Sequence, residues 1–327
     1  MGLGDPHDGG RTTSKITLET GCAVYYKARD CSAEAAFHEI DAFTGRFEGM
    51  QPRPPLKHPA FVLRGNYAWM EEIQARSPRG ATSAAAASRR AGELLALLDM
   101  LQAVDCNAAN VLASGGTLVP IDVETLLQPL LAWARATTPP PEDPATVLRV
   151  GLLPGVNGLG AASHGAGAWL RERECCAGFA AAYGVMSSQR AALVASAPFE
   201  RLRNSSVRVL VRATAACAAM ARTRRAPAGD PAPATIHALE LRSLERGDIP
   251  RFSTRGANLR QLAEGDRAVS GCIAEDGSTR AMRWLDNSSS DDLEGRLAVV
   301  RATLTLALLR RREAVRQRTS RRAGGAG

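Results

Sequence analysis

D-C-N-A-A-N (Asp105–Asn110), V-L-A-S-G-G-T-L-V-P-I (Val111–Ile121) and D-V-E (Asp122–Glu124) follow one another without a break. Gly115-Gly116 separates two apolar runs, Val111–Ala113 and Thr117–Ile121. A Gly-Gly pair between strand formers predicts a two-residue hairpin. Closing it brings Asn110 opposite the segment around Asp122, roughly 5 Å away across a paired ladder. An amide and a carboxylate then converge, with Glu124 beside them. Oxygen donors of that kind suit Mg²⁺. Asp105 falls just outside, where a substrate hydroxyl could approach. An aspartate followed five positions later by an asparagine, then a second aspartate after a hairpin, is the spacing used in phosphoryl transfer by kinases.

Working back from this stretch, Ser83–Val104 predicts a helix, with Ala91, Leu94, Leu95, Leu98 and Leu101 on one face. It delivers the chain directly to Asp105. Gly2–Arg11 (G-L-G-D-P-H-D-G-G-R) reads as a glycine-rich loop. Lys15–Glu19 and Cys22–Ala28, joined at Thr20-Gly21, read as a strand hairpin with Lys27 near the end of its second strand. Gly9 and Gly10 let backbone N–H groups approach phosphate oxygens, and Lys27 supplies a point charge. Ser32–Phe47 has helical spacing, Gln51–Pro59 is a proline-rich connector, and Ala60–Leu63 and Tyr67–Ile73 read as strands. Small lobe, hinge, helix, catalytic loop and metal hairpin is the kinase order.

Composition limits the alternatives. The chain has 327 residues and is 45% hydrophobic, enough for one large or two ordinary domains with a real core. Charges interrupt every apolar run, so no membrane span is expected. No basic stretch followed by an apolar one opens the sequence, so a cytoplasmic protein is expected. Seven cysteines without a C-x-x-C pair fit reduced, structural thiols. The formal charge is +8, but the stretch from Arg310 to Arg322 carries seven arginines and one glutamate, a net of +6. The body is therefore only weakly basic, and no nucleic-acid groove is expected.

Beyond Pro129 the pattern is more helical. Thr137–Pro144 and Ala226–Pro233 read as loops. Ala177–Ser196 and Ser205–Arg222 fit helices, Gly247–Phe252 a turn and a short extended piece, and Asp291–Arg312 an amphipathic helix. No internal repeats occur.

Several segments, in this order, resemble the dehydratase domain of class II lanthipeptide synthetases, the LanM-type lantibiotic enzymes. They are G-D-P-H-D-G-G-R (Gly4–Arg11), Y-Y-K-A-R (Tyr25–Arg29), Y-A-W-M-E (Tyr67–Glu71), R-R-A-G-E-L-L-A-L-L (Arg89–Leu98), D-C-N-A-A-N, I-D-V-E-T-L (Ile121–Leu126), V-L-R-V-G-L-L-P (Val147–Pro154), R-V-L-V-R-A-T (Arg208–Thr214) and G-D-I-P-R-F (Gly247–Phe252). The resemblance implies an α+β, lipid-kinase-like bilobal fold. Residues 1–75 would form a small β-rich lobe, 76–313 a larger helical lobe, and 314–327 a basic flexible tail. It implies ATP- and Mg²⁺-dependent phosphorylation of Ser and Thr in a ribosomally made precursor peptide. Phosphate elimination to dehydroalanine or dehydrobutyrine follows.

By the same resemblance, Lys27, Asp105, Asn110 and Asp122 serve the kinase step, with Glu124 beside the metal. Arg208 and Thr214 serve elimination, helped by Asp5 and Lys27, and His7 belongs to the same loop motif. Arg208 offers a bidentate fork for a departing phosphate. The spacing of Arg208, Arg212 and Thr214 predicts one shared helix. The family's usual D-x-H-x-x-N has Asn107 in place of the histidine, and asparagine keeps a hydrogen bond but carries no proton. Relative to full synthetases, the expectation is a chain lacking the segment before the glycine-rich loop and the C-terminal zinc-dependent cyclase. A separate cyclase or synthetase subunit is then an expected partner. A catalytically weakened relative that binds precursor peptide or a synthetase partner is the alternative, as is a kinase without elimination.

Overall fold

The computed structural model describes residues 2–47, 57–154, 169–255 and 261–324. Most of the connector expected at Gln51–Pro59 lies outside them. The fold is α+β: a five-stranded and a four-stranded antiparallel sheet, with two two-stranded ones, accompany the helices. The first sheet has the order β1-β2-β3-β5-β4, from β1 (Gly2–His7), β2 (Arg11–Thr17), β3 (Ala23–Lys27), β4 (Phe61–Leu63) and β5 (Ala68–Glu71). The expected N-terminal glycine loop is thus a strand hairpin. Only Asp8, Gly9 and Gly10 form the turn, all at positive φ (48°, 86° and 82°), a conformation that glycine adopts without steric cost. Helix α1 (Ser32–Thr44) buries Ala33, Ala36, Phe37 and Ile40. Just before it, Asp30 Oδ1 accepts from the Ser32 N–H at 2.8 Å.

The core is built on α2 (Ala81–Met100), whose leucines Leu94, Leu95 and Leu98 are fully buried, as the sequence pattern predicts. Its main partner is α4 (Glu172–Ser188), and the two helices touch backbone to backbone. A methyl group on Gly92 would lie 1.8 Å from the Cys175 carbonyl oxygen, and one on Gly178 would lie 1.9 Å from that of Arg89. Only glycine fits either position.

After α2 the chain forms the predicted hairpin, β6 (Val111–Ser114) with β7 (Thr117–Pro120), in the register Val111↔Pro120 and Ser114↔Thr117. Gly115 and Gly116 both have positive φ, as a primed hairpin turn requires. Short strand β8 (Leu130–Leu131), helix α3 (Thr146–Arg149), α5 (Arg190–Val194) and α6 (Ala197–Asn204) continue the fold.

The single helix expected over Ser205–Arg222 is instead two elements, β9 (Ser206–Val209) and α7 (Thr214–Thr223). Val207 and Val209 are buried while Arg208 alternates with them, a period of two that only a strand can use. β9 is the edge of the second sheet, ordered β12-β11-β10-β9, with β10 (Phe252–Arg255), β11 (Gln261–Glu264) and β12 (Arg267–Ser270). Arg208 faces Ser253 across the β9–β10 ladder. Helix α8 (Ala234–Glu245) packs Ile236 and Leu239 with Val209, Phe252 and Leu262 into a second small core. Strand β13 (Ile273–Glu275) pairs with β8.

Helices α9 (Gly277–Asp286) and α10 (Ser290–Gly324) close the chain, and α10 continues past the Arg312 end expected from the sequence. They are held by a buried ionic knot. Asp99 on α2 accepts from Trp284 Nε1 at 2.8 Å and pairs with Arg296, whose side chain is fully buried. All seven cysteines are free thiols, and burial pushes Cys31 up to about 12, as inert structural thiols require. Among the described residues no helix is long and apolar enough to cross a membrane.

Candidate functional site

The loop between α2 and β6 carries Asp105 in a left-handed backbone conformation, φ 60°. Aspartate tolerates this better than most residues, and such strain often accompanies functional positions. Two amides hold it. Asn107 Nδ2 donates to Asp105 Oδ1 at 2.8 Å, and Asn110 Nδ2 donates to the Asp105 carbonyl at 2.7 Å. Asn107 also accepts from the Ala109 N–H at 2.8 Å, so it is rigid itself. Burial raises the Asp105 carboxyl above the ordinary range, although Arg208 and the Asn107 bond pull it down. A raised carboxyl is suited to taking a proton.

The hairpin places Asp122 beside Asn110: the Asn110 carbonyl accepts from the N–H groups of Ile121 at 2.8 Å and Asp122 at 3.2 Å. Lys27, at the end of β3 and almost wholly buried, reaches the same point. Its Nζ donates to the Ile121 carbonyl at 2.6 Å and lies 3.6 Å from Asp122 Oδ2 and 3.8 Å from Glu34 Oε1. Glu34 stands in the first turn of α1. Arg29 Nη2 bonds Asp122 Oδ1 at 2.7 Å and meets Glu34 at 2.5 Å.

Glu124, expected beside a metal, is instead engaged by arginines. Its carboxylate meets Arg208 Nη1 at 2.9 Å, Arg251 Nη2 at 3.0 Å and Arg29 Nε at 3.1 Å. Burial opposes its ionisation, but the three guanidiniums hold it well below the usual carboxylate range. Asn110 and Asp122 are brought together, with the Asp122 carboxylate facing Arg29 and Lys27, while Glu124 organises the arginines. Among the described residues, no group of three or more His, Cys, Asp and Glu side chains could hold a metal.

The glycine turn also differs from expectation. The N–H groups of Gly9 and Gly10 donate to Asp248 Oδ2 and Oδ1 at 2.8 and 2.7 Å. The amides read as a phosphate cradle thus hold an internal carboxylate. Ile249 completes the clasp, its N–H donating to the Pro6 carbonyl at 2.8 Å and its carbonyl accepting from His7 Nδ1 at 2.7 Å. Burial, with help from Arg208 and Arg251, keeps His7 below its ordinary pKa. Thr214, the first residue of α7, donates from Oγ1 to Asp5 Oδ2 at 3.2 Å. Thr214 and Asp5 are therefore together, whereas Arg208 lies on another element. No hydrogen bond joins Arg208 to Thr214 among the described residues.

A cleft of about 1010 Å³ meets this cluster at Arg29 and Arg251, while Lys27, Asp105, Asn110, Asp122 and Arg208 are not among its wall residues. Its walls include Arg11, Arg29, Asp30, Arg201, Ser205 and Arg251.

Glu34, Arg29, Asp248 and Arg251 were not singled out by residue type. Glu34 had a legible signal, a carboxylate at the start of the helix following Lys27. For Asp248 and Arg251, only the contacts of the folded chain reveal a partner.

A family model described as a domain of unknown function, DUF4135, matches residues 1–172, just over half of the sequence. The chain belongs to the DUF4135 family. The DUF4135 match contains Lys27, Asp105, Asn110 and Asp122 and stops short of Arg208, Thr214 and Arg251. No curated protein matches the chain.

Proposed function

We propose that this DUF4135 protein is a peptide dehydratase related to lanthipeptide synthetases, acting with ATP and Mg²⁺ on Ser and Thr of a ribosomally made precursor. DUF4135 is associated with lanthipeptide synthetases, which supports that reading. The observation that carries it is the convergence of Lys27, Glu34, Asp105, Asn110 and Asp122. A buried lysine paired to a helix carboxylate, beside an Asp–Asn loop and a second Asp, has the parts of a phosphoryl-transfer centre. In this reading the first sheet with α1 is the small lobe of a lipid-kinase-like fold, and the helical remainder is the large lobe.

Lys27 compensates the charge of the ATP phosphates. Asp122 and the side-chain oxygen of Asn110 are the residues that would hold Mg²⁺, which needs few protein ligands when phosphates complete its shell. The bound ion would neutralise phosphate charge. Asp105 takes the proton of the peptide hydroxyl as its oxygen bonds to the γ-phosphorus and the bond to ADP breaks. Elimination then transfers the peptide Cα proton to the Asp5 carboxylate, the C–H electron pair forms the Cα=Cβ double bond, and phosphate leaves Cβ with the C–O electron pair. Arg208 stabilises the leaving phosphate, and the Thr214–Asp5 pair lines the same step.

A second reading, a precursor-binding relative without catalysis, draws on Asn107 and on the carboxylate of Asp248 at the glycine turn. The two readings diverge in a coupled assay of ADP and inorganic phosphate with a Ser/Thr precursor peptide. The dehydratase releases equal amounts of both in a peptide-dependent manner. Release of neither product, with the peptide bound, contradicts it. ADP alone means phosphorylation without elimination.

A further inference from the structure

Three guanidiniums share the single carboxylate of Glu124, and two of them, Arg29 and Arg251, also wall the open cleft. Arg29 is balanced further by Asp122 and Glu34. Arg251 pairs only with Glu124 among the described residues, and its Nε is buried without a hydrogen-bond partner. A buried donor left unpaired is costly, so this guanidinium is only partly satisfied by Glu124.

Arg251 is also fixed from behind. Asp248 is gripped by the amides of Gly9 and Gly10, and Ile249 is bonded in both directions to the β1–β2 hairpin. Pro250 stiffens the link between them. The cleft wall carries four carboxylates: Asp30 accepts from the Ser32 N–H, Glu39 pairs with Arg201, and Asp8 and Glu200 also line it, against Arg11, Arg29, Arg201 and Arg251. What remains by Arg251 is a preorganised cation facing solvent-accessible space. A phosphate monoester, dianionic and rich in acceptors, matches a guanidinium fork.

We propose that Arg251 is the cleft-side ligand for the phosphate of the phosphorylated peptide side chain, with Asp248 as its positioning residue. This rests on the dehydratase reading and adds a phosphate contact distinct from Arg208. As the Cβ–O bond breaks, its electron pair stays on the phosphate oxygen, and Arg251 compensates that charge while Glu124 keeps the guanidiniums aligned.

The test is calorimetric titration of the full chain with inorganic phosphate, a phosphoserine peptide and its unphosphorylated twin. Wild type, Arg251→Gln, Arg251→Lys, Asp248→Asn and the exposed control Arg190→Gln are compared. Arg251→Gln should weaken the phosphopeptide about tenfold and leave the unphosphorylated twin within about twofold, the loss expected for charge-assisted hydrogen bonds. Arg251→Lys should fall between, Asp248→Asn should weaken the phosphopeptide less than Arg251→Gln, and Arg190→Gln should match wild type. Equal phosphopeptide binding by wild type and Arg251→Gln, or loss of both peptides together, overturns the proposal. Binding of inorganic phosphate without preference for the phosphopeptide overturns the peptide subsite. Phosphopeptide discrimination through Arg251 in a chain that never modifies precursor defeats the dehydratase reading and leaves the subsite standing.

Discussion

Lys27 on β3 and Glu34 on α1 lie 3.8 Å apart, both almost fully buried, with Asp122 3.6 Å from the same ammonium. A buried lysine held between two carboxylates resists drifting out to solvent. It ties the first sheet, the first helix and the central hairpin to one point. Lys27→Ala should abolish ATP-dependent modification. It also leaves Glu34 and Asp122 sharing Arg29 alone, so stability should drop by about 2–4 kcal/mol, somewhat under the full cost of orphaning a buried charge. Chemical denaturation and peptide mass analysis of the variant check the two effects separately.

Asn107 stands where the related motif has histidine, yet it donates directly to Asp105. That bond lowers a carboxyl that burial raises. Phosphorylation needs the ionised form, so its rate should rise with pH through the raised Asp105 pKa. Asn107→Ala removes the lowering contact, and the acidic limb should move to higher pH. An unchanged pH–rate profile for peptide-dependent ADP release in Asn107→Ala would remove Asp105 from the role of base.

Glu124 makes the opposite contribution to stability. Its folded pKa lies well below the usual carboxylate range because Arg29, Arg251 and Arg208 outweigh burial. The stabilisation is therefore present above the unfolded pKa and lost as pH falls through the folded one. Glu124→Gln should lower Tm at neutral pH and flatten its decline on acidification. A variant whose Tm tracks wild type from pH 7 downward would contradict the pairing.

Arg208 faces Ser253 in the β9–β10 ladder and bonds Glu124 from the strand. Arg208→Ala should accumulate phosphorylated peptide, because phosphoryl transfer is retained while phosphate departure is slowed. Mass analysis showing only unphosphorylated peptide would contradict the assignment.

Gly92→Ala tests the core. Its methyl group would lie 1.8 Å from the Cys175 carbonyl oxygen, so α2 and α4 would have to separate. A destabilisation of about 3 kcal/mol or more is expected, at the upper end of overpacking costs. Denaturant unfolding measures it.

The central hairpin was legible because its signals are local: two positive-φ glycines, flanking strand formers, and Asp–Asn spacing on one side. The α2 stripe was legible for the same reason. Arg208 and Arg212 fit helical spacing in the sequence, and only pairing with β10 selects the strand. The glycine turn shows a different limit. Gly9 and Gly10 can present their amides to an anion. The carboxylate they hold, Asp248, is distant in sequence, and no local pattern points to it. The sequence places Glu124 beside the expected metal pair, and nothing local marks it as the hub of three arginines from three different segments.

Mass spectrometry of a cognate precursor peptide incubated with the protein, ATP and Mg²⁺ tests the central claim most directly. The account predicts loss of one water per modified Ser or Thr, dependent on ATP and absent in Asp122→Ala. An unchanged peptide mass, with the peptide bound to the wild-type chain, would contradict it.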